Sequence, residues 1–233
     1  MGTPRAILFD KDGTLLDYWA SWGPVNRAAV DLASAGDPRL AARLYHVGGV
    51  DETGRAANAH SLLAAGSAFD IARIWVAAGA RFTVPMLTRA LDDLFRASVD
   101  DMVPVGDLAA ILGRLDARGL ALGIASSDGE AAIRATVARF GLGDVIDFVA
   151  GYDSGHGPKP EPGMVHAFCR AVGVEPHEVA VVGDTLHDLD MGRAAGCGLR
   201  VGVLTGTGTR DVLAEAADLV IDDIAALEAA LFG

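Results

Sequence analysis

The chain has little cysteine, few aromatic residues and no long apolar run. Its 233 residues include two cysteines, Cys169 and Cys197, which is too few for a disulfide framework, so we interpret both as buried small apolar side chains. No apolar stretch approaches the ~18 residues of a membrane span. The four-residue run before Asp10 is also too short for a secretion signal, and we expect a cytoplasmic protein.

Acidic residues outnumber basic ones, 31 to 19, and lysine is the rarest of the basic residues. The formal net charge is −12, which argues against nucleic acid or an anionic membrane as a partner, because both attract basic surfaces. The only lysines are Lys11 and Lys159. A chain this acidic needs local cations, from a metal or from placed basic side chains, if it is to bind an anion.

Short apolar runs alternate with helical patterns over most of the chain, which predicts a parallel sheet with helices on both faces. A glycine follows most of the later helical patterns, where a helix C-terminus is expected. The predicted strands are Arg5–Phe9, Leu120–Ala125, Val145–Ala150, Val179–Val182, Leu199–Leu204 and Leu219–Ile221.

The stretch 16–102 interrupts that alternation, because it contains helical patterns and no convincing strand. The sequence therefore predicts a Rossmann-like α/β core domain from residues 1–15 and 103–233. Residues 16–102 would form an α-helical cap domain inserted after the first strand. Its ends are rich in turn residues, and the turn Trp19–Trp22 is expected to pack at the hinge, with contact to substrate as the alternative.

Two acids follow the first strand. Asp10 and Asp12 stand two residues apart, and Gly13 allows the backbone to bend so that both can face one point. A carboxylate can attack phosphorus or bind a hard divalent cation, and a second one can transfer protons. An ordinary acidic turn is the alternative, whereas an EF-hand loop is disfavoured because its glycine stands at position six.

Three later strand ends supply further polar groups, and parallel sheets bind ligands at such ends. Ser126 and Ser127 follow one strand; Ser127 also fits a capping box with Glu130, which leaves Ser126 as the better phosphate donor. Lys159, between two prolines, is a candidate phosphate cation. Asp184 follows another strand as a candidate metal ligand, with Asp188 as a supporting acid and His187 assigned to the surface.

These segments together resemble the haloacid dehalogenase superfamily. The resemblance rests on four motifs in the same order and spans the whole predicted sheet domain, and the helical insertion is similar to the family's cap. The lysine motif and the helix after Asp188 look most like the phosphoglycolate phosphatase branch. The matching segments are Asp10–Thr14, Leu122–Ser126, Lys159-Pro160 and Gly183–Asp188.

The resemblance implies a Mg²⁺-dependent phosphatase that acts on a small phosphorylated metabolite through an aspartyl-phosphate. Asp10 would be the nucleophile and Asp12 the acid and then the base. Mg²⁺ would be held by the Asp10 carboxylate, the Asp12 main-chain carbonyl and Asp184, with Asp188 and Thr14 supporting them. Phosphate oxygens would be bound by Ser126, Ser127, Lys159 and the main chain at Asp12 and Gly13.

Two alternatives stay open, a phosphomutase of the same superfamily and a non-catalytic phospho-aspartate regulatory or binding protein. A receiver domain is disfavoured because its acceptor aspartate follows a later strand. Substrate choice is expected to lie in the cap, where four arginines could bind a distal carboxylate or phosphate. We prefer the loop-like segment that ends in Arg55; the other three are Arg27, Arg43 and Arg73.

Overall fold

Six parallel strands form a single sheet in the computed structural model, which describes residues 3–54 and 61–233. The strand order is β3-β2-β1-β4-β5-β6, so the first strand lies in the middle of the sheet. The strands are β1 Ala6–Phe9, β2 Ala121–Ala125, β3 Phe148–Ala150, β4 Val179–Gly183, β5 Leu199–Val203 and β6 Leu219–Ile221.

Eleven α-helices occur in the described residues, together with three short 3₁₀ segments. They are α1 Tyr18–Ser34, α2 Pro38–Gly48, α3 Leu62–Ala65, α4 Ala68–Ala77, α5 Val84–Ser98, α6 Leu108–Asp116, α7 Glu130–Arg139, α8 Gly163–Val172, α9 Leu186–Ala195, α10 Arg210–Leu213 and α11 Leu227–Phe232. Among them, none combines the length and apolar character that a membrane span requires.

The sheet is buried on both faces, as its apolar runs predict. Successive side chains of a strand point to opposite faces. Ile7 and Phe9 therefore join a core formed with α6, α7 and α11, while Ala6 and Leu8 pack against α8 and α9. The predicted fold class, a parallel sheet covered by helices, is confirmed.

Helices α1–α5 lie between β1 and α6 in the chain and enclose a hydrophobic cluster of their own. The two chain connections to this helical segment run side by side. The N–H of Asp17 donates to the carbonyl of Val103 at 2.9 Å, and the N–H of Val105 donates to the carbonyl of Leu15 at 3.1 Å. This pairing at residues 15–17 and 103–105 supports the predicted division at 1–15, 16–102 and 103–233, which stays an interpretation.

The start of the first helix was predicted wrongly. The expected turn over Trp19–Trp22 is helical, because the Asp17 carboxylate accepts the Ala20 N–H at 3.0 Å and caps α1 there. Burial of Tyr18 and Trp22 then fixes this turn against the cluster, and Pro24 is accommodated inside the helix. The short helix α3 was not predicted at all.

Candidate active site

The register of the sheet brings three of the predicted motifs together. Phe9 pairs with Ile124 on one side and with Val182 on the other, so the residues that follow these positions share one edge. Asp10 is held there by its main-chain N–H, which donates to the carbonyl of Val182 at 2.8 Å. Asp10, Ser126 and Asp184 consequently meet at the carboxyl end of the sheet, where ligands bind in open α/β folds.

Lys159 reaches this edge from the loop that follows β3. Its Nζ donates to Asp10 Oδ1 at 2.6 Å and to Asp188 Oδ1 at 2.5 Å, with 3% of the side chain exposed. The other oxygen of Asp188 accepts from the N–H and hydroxyl of Thr185 at 3.1 and 2.7 Å. Asp188 thus caps α9 and orients the lysine toward Asp10.

Asp184 completes a cluster of three carboxylates. Asp10, Asp184 and Asp188 each present one oxygen within 4.8 Å of the others, which is the donor set that a hard divalent cation prefers. Asp184 Oδ2 accepts the Thr207 N–H at 2.8 Å, which leaves Oδ1 for a metal. The backbone at Gly13 approaches this carboxylate so closely that a Cβ there would lie 2.7 Å from Asp184 Oδ2.

Burial and crowding set the electrostatics of this cluster. Burial raises the pKa of Asp10 to about 7; Lys159 lowers it, and Asp188 and Asp12 raise it further. Burial also raises the pKa of Asp184 well above its usual value, and Asp10 and Asp188 add to the shift. Burial alone would lower the pKa of Lys159, but Asp10 and Asp188 outweigh it and raise that pKa. Anionic charge here exceeds the charge of one lysine, so a further cation would favour the ionised carboxylates.

The carboxylate of Asp12 lines the same cavity but is bound by two groups outside this cluster. Lys11 Nζ donates to its Oδ1 at 2.8 Å and lies 2.6 Å from its Oδ2, while Trp22 Nε1 donates to Oδ1 at 2.8 Å. Lys11 was given no role at the site from the sequence, and Trp22 was expected at the hinge or against substrate, not on Asp12. The scarcity of lysine could have indicated that Lys11 belongs to the site, because the two lysines of the chain both contact acids of the first motif.

The serine turn differs in part from the prediction. The expected capping box is wrong: α7 begins after Gly129 without a side-chain cap, and Asp153 Oδ1 accepts the Glu130 N–H at 2.8 Å. Ser127 is thereby left beside the cavity. Ser126, 2% exposed, accepts the N–H of Asp128 at 3.1 Å and keeps its own O–H available to donate to a ligand.

The contacts of two further residues of the first motif bear on the roles expected of them. The N–H of Gly13 donates to the carbonyl of Leu16 at 2.7 Å, which is at odds with its use for phosphate. The conformation of Gly13, with φ of 82°, and its closeness to Asp184 explain the glycine instead. Thr14 is buried, and its hydroxyl has no hydrogen-bond partner among the described residues.

A cavity lies between these strand ends and the helical segment. One wall carries the catalytic candidates, and the opposite wall is largely apolar, with Tyr18, Trp22, Leu63, Ile71 and Phe95. An adjoining cavity of about 280 Å³ shares part of this lining and adds polar groups, so it provides room beyond the phosphate position. The shared lining residues are Ala65, Gly66, Ser127, Lys159 and His187.

Three of the four candidate specificity arginines, and His187, can be placed relative to these cavities. His187, expected at the surface, lines both of them, and Arg73 lines the second. Arg27 and Arg43 instead donate to the main-chain carbonyls of Thr53 and Ala78. Arg55, the preferred candidate, lies outside the described residues, which stop at 54 and resume at 61.

Comparison with known proteins identifies the family. The family model of haloacid dehalogenase-like hydrolases matches residues 4–196. The chain belongs to this family. Phosphoglycolate phosphatase of Rhodospirillum rubrum is 33% identical over 228 residues, which cover 96% of this chain and 89% of that protein. The prediction of a haloacid dehalogenase-like phosphatase is confirmed.

Solved structures agree on the fold of this haloacid dehalogenase-like hydrolase. CbbY from Rhodobacter sphaeroides, in complex with phosphate, superposes with a TM-score of 0.74 at 20% identity, covering 96% of each chain. A protein of Thermotoga maritima assigned as a β-phosphoglucomutase gives a TM-score of 0.67 at 17% identity, covering 97% of this chain and 98% of that one. At these identities the likeness extends to the fold alone.

One contact between the helical segment and the sheet predicts a pH effect. Asp92, on α5, accepts from the Tyr152 hydroxyl at 3.0 Å. Burial raises the pKa of Asp92 to about 6 from 3.8; Tyr152 lowers it, and Asp128, Asp153 and Asp93 raise it. Because the folded state holds this proton more tightly than the unfolded state, wild-type stability should fall as pH rises from about 4 through 6.

Asp92→Asn should remove this loss, since asparagine stays neutral and its oxygen can still accept from Tyr152. At pH 8 we expect its Tm to exceed that of wild type by roughly 2–4 °C, about 1 kcal/mol after discounting for the half-exposed position. The difference should vanish near pH 4 in thermal unfolding. Asp93→Asn, at the exposed neighbouring position, removes only one of the charges that raise the pKa of Asp92 and should show a much smaller difference. A difference that is constant with pH would contradict the assignment.

Proposed function

We propose that the protein is a Mg²⁺-dependent phosphatase that hydrolyses a small phosphomonoester through an aspartyl-phosphate on Asp10. The observation that carries the proposal is the position of Lys159, whose Nζ bridges Asp10 and Asp188 beside Asp184. A nucleophile, a phosphate cation and a group of metal ligands thereby share one cavity wall. Phosphoryl transfer depends mainly on such positioning and charge neutralisation.

The residues present fit a magnesium ion. Three buried carboxylates converge, and the pKa values of Asp10 and Asp184 are raised, as expected of a site short of cationic charge. The carboxylates of Asp10 and Asp184 would hold the ion with the main-chain carbonyl of Asp12, because the Asp12 side chain is occupied by Lys11 and Trp22. When bound, Mg²⁺ supplies positive charge that offsets the phosphate and the acidic cluster.

The chain's own groups account for both chemical steps. The Asp10 carboxylate forms a bond to phosphorus while the bond to the leaving alkoxide breaks, and Asp12 gives that oxygen a proton. Asp12 then takes a proton from water, whose oxygen attacks phosphorus and releases Asp10. Lys159, Ser126 and Ser127 bind the phosphate oxygens meanwhile.

The two cavities suggest how a substrate is held. The phosphoryl group would occupy the first cavity, and the leaving group would face its apolar wall and extend toward the second. Phosphoglycolate, the substrate named for the Rhodospirillum rubrum relative, carries a carboxylate that would need a cation. We propose Arg73, which lines the second cavity, and Arg55 as candidates for that contact.

The proposal is tested by measuring phosphate release from a panel of phosphomonoesters after metal removal and after Mg²⁺ is restored. The panel pairs phosphoglycolate with ethyl phosphate, and includes sugar phosphates and an aryl phosphate. We expect release only with Mg²⁺, at least about 10²-fold above the metal-free protein. Conversion of a sugar phosphate into its isomer without release would indicate the mutase. Tight binding without turnover of any ester would indicate a binding protein, and both results would overturn the proposal.

A further inference from the structure

Lys11 is a second buried lysine at this site, and its contacts mirror those of Lys159. Its side chain is fully buried, and Nζ lies 2.6 Å from Asp12 Oδ2 and 3.1 Å from Asp128 Oδ2. Asp128 is itself fixed, because its Oδ1 accepts the N–H of Gly129 at 2.8 Å. Each lysine of the chain thus joins one of the two motif acids to a buried carboxylate from a later loop or helix.

Trp22 contacts the same carboxylate from the helical segment. Its Nε1 donates to Asp12 Oδ1 at 2.8 Å, and its ring lies 5.6 Å from Lys11 Nζ. Phe95 meets the indole edge-on, with ring centroids 5.2 Å apart, and Tyr18 stacks on it at 6.3 Å. The indole is therefore held by packing and acts as a rigid donor.

A buried ion pair is weak evidence of a gain in stability. Transferring a lysine side chain from water to the protein interior costs several kcal/mol, and well-packed apolar residues in place of a buried ion pair often give equal or greater stability. Here, however, both donors are directed at a single carboxylate, and the pair fixes its rotation. Correct placement of a proton donor is what general acid catalysis requires, and such a donor contributes about 10²- to 10⁴-fold.

We propose that Lys11, itself held by Asp128, is a positioning residue that orients the Asp12 carboxyl group toward the leaving-group oxygen, and that Trp22 supports the same orientation from the helical segment. The inference rests on the proposed phosphatase function. In the step concerned, the phosphorus–oxygen bond of the ester breaks, its electron pair passes to the leaving oxygen, and Asp12 supplies the proton. The bond from phosphorus to Asp10 forms at the same time.

The leaving group provides a test that a purely structural role would not pass. An alkyl phosphate needs the proton, whereas p-nitrophenyl phosphate releases a stable anion and needs little help. The ratio kcat/KM reports the steps up to transfer onto Asp10. Lys11→Met should lower kcat/KM for glycerol phosphate by about 10- to 100-fold and that for p-nitrophenyl phosphate by no more than about threefold.

Lys11→Arg should recover part of the loss, and Trp22→Phe, which keeps an aromatic ring but removes the donor, should show the same contrast in smaller measure. If Lys11→Met fails to fold, the contrast in Trp22→Phe decides the matter. Equal losses for both esters, or no loss for either, would overturn the inference while wild-type turnover leaves the proposed function intact. Wild-type protein that releases phosphate from neither of these esters nor from any other ester of the panel overturns the proposed function and this inference with it.

Discussion

Protein carrying Asp10→Asn is expected to release phosphate at least about 10³-fold more slowly than wild type, because an amide oxygen is a poor nucleophile toward phosphorus. The substitution should leave the fold intact. It removes one charge from a cluster in which carboxylates outnumber cations and in which burial raises the pKa of Asp10 to about 7. Thermal unfolding at pH 8 should therefore show a Tm within a few degrees of the wild-type value.

Asp190→Asn is the matched control for this measurement. Asp190 lies on the same helix as Asp188, but it is partly exposed and pairs with Arg193 at 2.8 Å. We expect the wild-type rate from it. Retention of more than about a tenth of the activity by Asp10→Asn would rule out the carboxylate as the nucleophile.

Lys159→Met is expected to have the second-largest effect, and it should appear in both activity and stability. The phosphate loses its cation, so phosphate release should fall by about 10²-fold or more. Without the lysine, three buried carboxylates face one another, which should lower the stability of the metal-free protein by about 3 kcal/mol. In a chain of this size that corresponds to roughly 6–12 °C in Tm.

Magnesium separates these two effects. Added Mg²⁺ should restore much of the lost Tm, because it binds the folded cluster and not the unfolded chain, while activity stays low. Lys159→Arg keeps the charge and should preserve most of the stability with weaker catalysis, since its planar head cannot replace the compact ammonium. A metal-free Tm that Lys159→Met leaves unchanged would contradict the account of the cluster.

The strands of the sheet could be predicted because each is encoded by a short, continuous apolar run of its own residues. A strand buried on both faces must be apolar throughout, and each such run proved to be a strand within a few residues, except that β3 begins at Phe148 instead of Val145. The polar residues after these runs could be grouped because parallel strand ends share an edge. Asp10, Ser126, Lys159, Asp184 and Asp188 were accordingly found together.

The contacts made by the helical segment could not be predicted in the same way. The Asp17 cap competes with turn signals from Gly23 and Pro24, and burial of Trp22 decided the outcome. Ser127 fits a capping pattern, yet the N–H of Glu130 donates to Asp153 instead. The neighbouring Asp128 pairs with Lys11, which lies far away in the sequence. Pairings at such separations depend on how the elements pack, which periodicity does not encode.

The two buried lysines have a practical consequence for chemical labelling. Lys11 is inaccessible and Lys159 nearly so, and the chain has no other lysine. An amine-directed reagent can thus modify a lysine side chain only when the structure around the strand ends opens. The extent of lysine modification therefore measures how often this region opens, without any probe having to be introduced.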